Sequence, residues 1–242
     1  GVVYLETRFG PHLFTGSRYT ASEVTESVVS GLQSDNSVPV QVILCGMRNA
    51  PVAQIAELIT LYEKFHARGV CGIDLAGDES RYACHEYAPV FARAHEAKIP
   101  VTIHAGEASG AQSVLDALDL FHARRIGHGI RSIDDAGLVK RLADEKIGVE
   151  VCLTSNLQTG NAASYQAHPF MQLKRAGVSV TINTDDPTVS GIDLNHEWQK
   201  AISEYSLDKH EQQALLLNSA RVAFCSAPTR NELEQKIRNF FA

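Results

Sequence analysis

Strand-like and helix-like patterns alternate strictly along the 242 residues of this sequence. Short apolar runs rich in β-branched residues, such as Val40 to Met47, are followed by stretches such as Val52 to His66, where apolar residues recur at helical spacing. This alternation predicts a parallel sheet, because parallel strands need crossover connections that are usually helical. The predicted strands are Val2 to Phe9, Val40 to Met47, Val70 to Ala76, Ile99 to His104, Arg125 to Gly127, Ile147 to Leu153 and Val178 to Thr184.

The number of predicted strands favours a closed barrel that lacks one member. Seven strands are one short of a TIM-type (β/α)8 barrel, and the sequence opens inside a strand pattern without a methionine. We therefore predict an α/β fold of this type, as a single domain over residues 1–242 that is incomplete at its N-terminus, with its first strand missing before Gly1. The alternative is a doubly wound open sheet, whose usual G-x-G-x-x-G turn is not found in this sequence.

The net charge and the spacing of the cysteines limit the kinds of binding partner and the cellular compartment that the sequence favours. The net charge is −6 and the positive residues are scattered, which disfavours a nucleic-acid or anionic membrane partner. No apolar run approaches the ~18 residues that a membrane-spanning helix needs. The five cysteines are widely spaced and form no C-x-x-C pair, which indicates reduced thiols in a cytoplasmic protein.

Ionisable side chains follow the predicted strands at the ends where a barrel keeps its active site. A single histidine at a strand end, or a single aspartate in a turn, has a structural explanation. The repetition of such residues on strand after strand instead predicts a shared site at one rim. The stretches concerned are Asp74 to Glu79, His104 to Glu107, Gly127 to Gly129, Leu153 to Asn156 and Asp185 to Asp186.

These residue types suit metal-assisted hydrolysis. Histidine and aspartate are good zinc ligands, and zinc with an open coordination position lowers the pKa of bound water to ~7. A second histidine can orient this water or take its proton. Glu107, three residues after His104, can act as a general acid if burial keeps it protonated. The residue types alone do not identify the bond that is hydrolysed.

The stretch Asp185-Asp186-Pro187 has two interpretations. An aspartate followed by proline is the pattern of a helix N-cap with proline in the first turn. Alternatively, the two neighbouring carboxylates serve two partners, a metal and a substrate, because successive side chains on a strand point to opposite sides. The pattern is compatible with both.

The ordered set of motifs resembles the adenosine deaminase family. Each motif is weak by itself, but their order is specific and the resemblance extends over essentially the whole chain. The motifs are Asp74-Leu-Ala-Gly-Asp-Glu79, His104-Ala-Gly-Glu107, Gly127-His128-Gly129, Thr154-Ser155-Asn156 and Asn183-Thr184-Asp185-Asp186-Pro187.

The resemblance implies a zinc-dependent deaminase. Its reaction would be the hydrolysis of adenosine and 2′-deoxyadenosine to inosine and ammonia, as part of purine nucleoside salvage. The partner would then be a small purine nucleoside rather than a macromolecule. His104 and Asp185 would ligate the zinc ion.

The resemblance also implies roles for four further residues. Glu107 would protonate N1 of the purine while C6 is attacked, and His128 would orient and polarise the attacking water. Gly77 would offer its backbone N–H to the purine N3. Asp186 would accept a hydrogen bond from the N7 side of the purine or help to align the water.

One element of the family pattern is absent from this sequence. The family also uses a His-x-His pair at the end of its first strand for zinc, with a nearby acidic residue for the ribose, and no His-x-His occurs here. Two of the four expected protein ligands remain, so we expect this chain alone to bind zinc poorly. A longer chain or a companion chain would carry the missing segment; the alternative is an inactive remnant.

Other functions remain open besides adenosine deamination. Adenine deaminases tend to carry an acidic residue before the rim histidine and to lack the Asp74–Glu79 stretch, so Gly127 and that stretch favour a nucleoside. Another metal hydrolase of the same fold and a non-catalytic binding protein are the further alternatives. A cytidine-deaminase zinc site is excluded, because its H-x-E and P-C-x-x-C patterns are absent. Most other histidines, His168 among them, are interpreted as surface or structural residues.

Overall fold

Seven β-strands alternate with helices in the part of the chain that the structure, a computed structural model, describes: residues 1–35, 37–82 and 84–242. The strands are short, and their buried positions are mainly apolar and β-branched, as a covered parallel sheet requires. They are β1 Leu5–Phe9, β2 Val40–Met47, β3 Val70–Ala76, β4 Thr102–Ala105, β5 Arg125–His128, β6 Gly148–Val151 and β7 Ser179–Ile182.

The α-helices of the described residues begin mostly at polar capping residues. Thr20 and Glu23 form a reciprocal capping box at α1, and the carboxylates of Asp135, Asp193 and Asp208 cap α5, α9 and α10. The helices are α1 Ala21–Gln33, α2 Val52–Phe65, α3 Ala88–Glu96, α4 Ala111–Asp119, α5 Ala136–Asp144, α6 Leu153–Gln158, α7 Phe170–Arg175, α8 Pro187–Ser190, α9 Leu194–Tyr205, α10 Lys209–Val222 and α11 Ala227–Phe241.

The described residues fall into two compact units, and the first comprises Gly1–Ile103 and Asp116–Ala123. It contains a parallel three-stranded sheet in the order β1-β2-β3, in which Leu5 pairs with Val40. Helix α2 packs against β2 and β3. The buried centre of this unit is formed by apolar side chains of these elements: Ile43, Leu44, Ile55, Leu58, Ile73 and Leu75.

The second unit comprises His104–Leu115 and Arg124–Ala242, and its sheet has the order β4-β5-β6-β7. Strands β5, β6 and β7 are parallel, with Gly148 opposite both Arg125 and Ser179. Because parallel strands run in one direction, the residues that follow these three strands emerge at one edge of the sheet. This edge carries the candidate active site.

The other end of the same sheet carries a buried ion pair. Arg125, the first residue of β5, places its Nε 2.5 Å from Oε1 of Glu150 on β6, and both side chains are almost completely buried. The Arg125 guanidinium lies 3.9 Å from the ring centroid of Phe224. Each buried charge thus lies beside a group of opposite charge, as charges removed from water require.

Every predicted strand is present in the structure, and the differences concern where individual elements begin and end. The predicted bounds of β2 and β3 are those observed, and the predicted helix from Val52 ends one residue earlier, at Phe65. Strand β6 was predicted to reach Leu153, but it ends at Val151 and Leu153 begins α6. Strand β7 ends at Ile182, two residues earlier than predicted. The division into two compact units does not test the prediction that residues 1–242 form a single domain, which stays a prediction.

All five cysteines lie within the described residues and are free thiols: Cys45, Cys71, Cys84, Cys152 and Cys225. The first four are buried. Among the described residues, none of the helices is both long enough and apolar enough to span a membrane.

Candidate active site

Strand β4 and the turn after it carry His104 and Glu107. His104 lies on β4, and the chain then turns at Gly106 with a φ of +68°. A Cβ atom at Gly106 would lie 2.5 Å from the Val114 side chain, so the turn requires glycine for both its conformation and its packing. This tight turn positions Glu107 directly beyond the end of the strand.

His128, the last residue of β5, is buried and has a left-handed backbone conformation with a φ of +61°. Gly127 allows it to lie close to His104, because a Cβ atom at Gly127 would be only 3.1 Å from the His104 ring. The two imidazole rings meet edge to face, with centroids 5.3 Å apart. A non-glycine residue at positive φ costs free energy, and such strain is concentrated at functional sites.

Asp185 approaches the two histidines from the loop after β7. It also has a left-handed conformation, with a φ of +58°, which aspartate tolerates better than most residues. Its Oδ2 accepts a hydrogen bond of 2.6 Å from Ser155 Oγ. One potential ligand atom from each of His104, His128 and Asp185 lies within 4.8 Å of the others. Two imidazole nitrogens and a carboxylate oxygen are a donor set that suits zinc, so these residues fit a metal ion.

Glu107 faces His128 and is held by two hydrogen-bond donors. Its Oε1 accepts from Asn156 Nδ2 and from Thr159 Oγ1, both at 3.1 Å. Its Oε2 lies 3.5 Å from His128 Nε2. The Glu107 side chain is 22% exposed, so it is partly buried and still reachable from outside.

The first turn of α6 presents the polar residues that contact these groups. Ser155 reaches Asp185, and the fully buried Asn156 reaches Glu107 and His128. The turn is fixed by Glu197 of α9, whose buried Oε2 accepts a 3.3 Å hydrogen bond from the Thr154 backbone N–H. An acidic group at this position satisfies a helix N–H that has no partner within the helix.

His168 is connected to the site, which the sequence did not predict. Its ring is buried, its Nε2 lies 3.2 Å from Asn156 Oδ1, and its Nδ1 accepts a 3.0 Å hydrogen bond from the Phe170 backbone N–H. Burial lowers the pKa of His168 to about 4, and the nearby His128 adds to the decrease. The one local signal was the His168-Pro169 dipeptide before a helix, which does not reveal a partner 12 residues away.

The lowered pKa of His168 predicts a pH-dependent stability. Between about pH 6.5 and about pH 4 the unfolded chain binds a proton at this ring and the folded chain does not, so folding becomes less favourable as the pH falls. We expect His168→Gln to remove about 2–3 kcal/mol of the stability loss between about pH 7 and pH 4.5. Urea denaturation at the two pH values measures it, with His210→Gln, at an exposed position, as the control. Equal losses for wild type and His168→Gln would contradict the prediction.

Asp186 caps a helix, and Gly77 belongs to the other compact unit. Asp186 is exposed, and its Oδ1 accepts hydrogen bonds from the backbone N–H groups of Thr188 and Val189 at the start of α8. The helix-capping interpretation is therefore correct for Asp186, while Asp185 faces the histidines. Gly77 belongs to the first unit and follows β3 with a φ of +108°. The substrate-binding roles of both residues stay predictions.

Comparison with known proteins identifies the family. The family model described as adenosine deaminase matches residues 1–240. The chain belongs to the adenosine deaminase family. A curated relative, adenosine deaminase of Enterococcus faecalis, is 38% identical over 240 residues, which cover 98% of this chain and 71% of the relative.

Solved structures of this family confirm the predicted fold class. Adenine deaminase from Arthrobacter aurescens matches with a TM-score of 0.90 at 26% identity, covering 99% of this chain and 74% of the other. The N6-methyl-AMP deaminase of Arabidopsis thaliana matches with a TM-score of 0.89 at 27% identity, covering 98% and 73%. The chain therefore has the α/β fold class of these enzymes, as predicted from its strand–helix alternation.

Proposed function

We propose that this protein catalyses the zinc-dependent hydrolysis of adenosine and 2′-deoxyadenosine to inosine and ammonia. The observation that carries the proposal is the convergence of His104, Glu107, His128 and Asp185 at the ends of β4, β5 and β7. These residues supply a nitrogen ligand and a carboxylate ligand for the metal, a second imidazole to orient water and a second carboxyl group for proton transfer. Family membership supports the same reaction class.

The metal would be held by His104 and Asp185, whose ring nitrogen and carboxylate oxygen suit zinc. When bound, zinc supplies Lewis acidity that makes water a nucleophile near neutral pH. Ser155 supports this assignment, because its hydroxyl donates to Asp185 Oδ2 and so orients the carboxylate. Hydrogen-bonded ligands of this kind are typical of metal sites in proteins.

Glu107 would be the proton donor to the purine. Both hydrogen bonds from Asn156 and Thr159 go to Oε1, so the proton to be transferred belongs on Oε2, which faces His128. Water adds to C6 while Glu107 protonates N1. One proton of the water returns to Glu107, and the other moves to the amino group, which leaves as ammonia.

His128 would orient the attacking water. Its Nε2 lies between two carboxylates, 3.5 Å from Glu107 Oε2 and 3.9 Å from Asp185 Oδ2. Gly77 and Asp186 would bind the purine, as the family resemblance implies. The Asp186 carboxylate keeps this capacity because the helix cap uses Oδ1.

A nucleoside is preferred to a free base on sequence grounds. Gly127 rather than an acidic residue precedes His128, and the Asp74–Glu79 stretch is present. The structural relatives include deaminases named for adenine and for N6-methyl-AMP, so these two compounds are the alternative substrates to be tested. We also propose a cytoplasmic protein in purine nucleoside salvage, supported by the five free thiols.

The test is deamination by the full-length protein supplied with zinc, with adenosine, 2′-deoxyadenosine, adenine and N6-methyl-AMP assayed in parallel. We expect both nucleosides to be converted and the other two compounds to be poor substrates. A preparation of Glu107→Gln made in the same way controls for a contaminating deaminase. Preferred conversion of adenine or N6-methyl-AMP would replace the proposed substrate. No conversion by folded, zinc-loaded protein would reject deamination.

A further inference from the structure

A chain of hydrogen bonds leads from the backbone of α7 to the candidate active site. The Phe170 backbone N–H donates to His168 Nδ1 at 3.0 Å. His168 Nε2 lies 3.2 Å from Asn156 Oδ1, and Asn156 Nδ2 lies 3.1 Å from both His128 Nδ1 and Glu107 Oε1. Because one end of this chain is a backbone amide, the direction of every bond in it can be assigned.

The assignment starts at His168. A backbone N–H can only donate, so His168 Nδ1 carries no hydrogen and accepts. In a neutral imidazole the hydrogen then lies on Nε2, which donates to Asn156. Burial keeps the ring neutral, since the pKa of His168 is lowered to about 4. The Asn156 atom that faces His168 must therefore be the carbonyl oxygen.

The orientation of Asn156 in turn determines the hydrogen on His128. With its oxygen towards His168, Asn156 presents its NH2 group to the site, and its two hydrogens match two acceptors, Glu107 Oε1 and His128 Nδ1. His128 Nδ1 is then an acceptor, so the hydrogen of its neutral ring lies on Nε2. Nε2 faces Asp185 Oδ2 and Glu107 Oε2, and a carboxyl oxygen keeps acceptor capacity when the group carries a proton.

We propose that His168 is a positioning residue that fixes the amide orientation of Asn156 and, through it, the tautomer of His128 and the orientation of Glu107. The His168 ring acts through Asn156, because its two nitrogens face Asn156 Oδ1 and the Phe170 backbone N–H. The proposal rests on the proposed function. With its hydrogen on Nε2, His128 donates a hydrogen bond to the water. A protonated nitrogen cannot bind a metal, so this tautomer agrees with zinc binding by His104 and Asp185 and not by His128.

The tautomer can be read directly from the 15N and 1H resonances of the histidine rings in the metal-free and zinc-loaded full-length protein. Of the ten histidines, His128 is assigned by the cross-peaks that disappear in His128→Gln. We expect wild-type His128 to carry its hydrogen on Nε2. A hydrogen on Nδ1 in wild-type, metal-free protein would overturn the proposal without any variant.

Three variants test whether His168 determines the orientation of Asn156 and the tautomer of His128. His168→Phe keeps a ring but removes the donor, so the Asn156 amide can reverse and the His128 hydrogen moves at least partly to Nδ1. Asn156→Asp replaces the donor to His128 by a carboxylate and forces the hydrogen to Nδ1 by a second route. His168→Gln keeps an N–H donor and restores the wild-type pattern. If His168→Phe does not fold, Asn156→Asp and the wild-type spectrum still decide the question.

Activity gives a second readout. We expect His168→Phe to lower kcat about 10- to 100-fold, the range seen when partners of active-site ligands are lost, while KM stays close to the wild-type value. Tyr165→Phe is the matched control, because it removes a 3.0 Å contact to Thr154 Oγ1 on the same turn of α6 without touching Asn156. It should leave the His128 tautomer unchanged.

The two proposals fail in different ways. The proposed role of His168 would be overturned if the His128 tautomer stayed unchanged in both His168→Phe and Asn156→Asp. It would also be overturned if Tyr165→Phe caused the same tautomer change. Either result would leave the proposed deamination intact. Absence of turnover by wild-type protein would reject the proposed function, whatever the spectra report about His128.

Discussion

Replacing Glu107 by glutamine lowers kcat for adenosine about 10²- to 10⁴-fold, the usual contribution of a general acid, and leaves the fold and zinc content unchanged. Glutamine has nearly the same shape, and its carbonyl oxygen can still accept from Asn156 and Thr159 in place of Glu107 Oε1. It cannot give an acidic proton to the purine N1. The loss therefore falls on the chemical step and not on the site that surrounds it.

The measurement combines kcat and KM for adenosine with zinc content and the circular dichroism spectrum of each variant. Thr159→Val is the matched control, since it removes one of the two donors to Glu107 Oε1 and keeps the carboxyl group. One hydrogen bond is worth about 0.5–1.5 kcal/mol, so Thr159→Val should cost no more than about tenfold. Near-normal turnover by Glu107→Gln would make the general-acid assignment wrong.

The sequence predicted the elements whose stability is visible in a local pattern. Helix α2 was predicted to within one residue from the helical spacing of its apolar residues, which is a local signal. Strands β2 and β3 are runs of apolar residues bounded by turn residues, and they were predicted to the residue. Where the local signal and the tertiary contacts agree, the prediction from a single sequence is correct.

The turn that carries Ser155 and Asn156 was predicted as the end of a strand because its helix is stabilised from a distance. Helix α6 has six residues, too few for an apolar periodicity to be recognised, and its Cys152 N-cap makes no side-chain capping hydrogen bond. Instead, Glu197, 43 residues later, accepts the Thr154 N–H. No pattern in the sequence links these two residues.

The candidate site was predicted as a set of residues but not as a set of contacts. Strand ends supplied His104, Glu107, His128 and Asp185, because the carboxyl ends of parallel strands share an edge. The left-handed conformation of Asp185 and the link from His168 to Asn156 depend on tertiary packing. For Asp186, the choice between helix cap and site residue required the direction of the side chain, which the structure provides.

The second prediction with a large expected effect concerns zinc affinity. We expect Asp185→Ala to reduce zinc affinity at least about 100-fold, beyond the 10–100-fold range that accompanies loss of a partner outside the coordination shell. Asp185 contributes the charged oxygen to the proposed zinc site, whereas the other proposed ligand, His104, is neutral when it binds metal. Removing Asp185 leaves His104 alone of these two proposed ligands, which is too few donors to hold the ion.

Asp185→Ala also changes the backbone, so a second variant separates the two effects. Alanine at a φ of +58° is strained, whereas asparagine tolerates this conformation nearly as well as aspartate. Asp185→Asn therefore keeps the loop and removes the negative charge, and we expect it to lose most of the zinc affinity as well. Ser155→Ala, which removes the 2.6 Å hydrogen bond to Asp185 Oδ2, should cost about 10- to 100-fold.

Zinc affinity is measured by competition with a chelator of known affinity, using full-length protein and each variant. Asp186→Asn is the matched control: it alters the adjacent carboxylate, which caps α8, and should leave zinc affinity unchanged. The expected order of affinities is wild type and Asp186→Asn, then Ser155→Ala, then the two Asp185 variants. Unchanged zinc affinity in Asp185→Asn and Asp185→Ala would remove Asp185 from the ligands, and a loss in Asp186→Asn equal to theirs would show that the neighbouring carboxylate binds the metal as well.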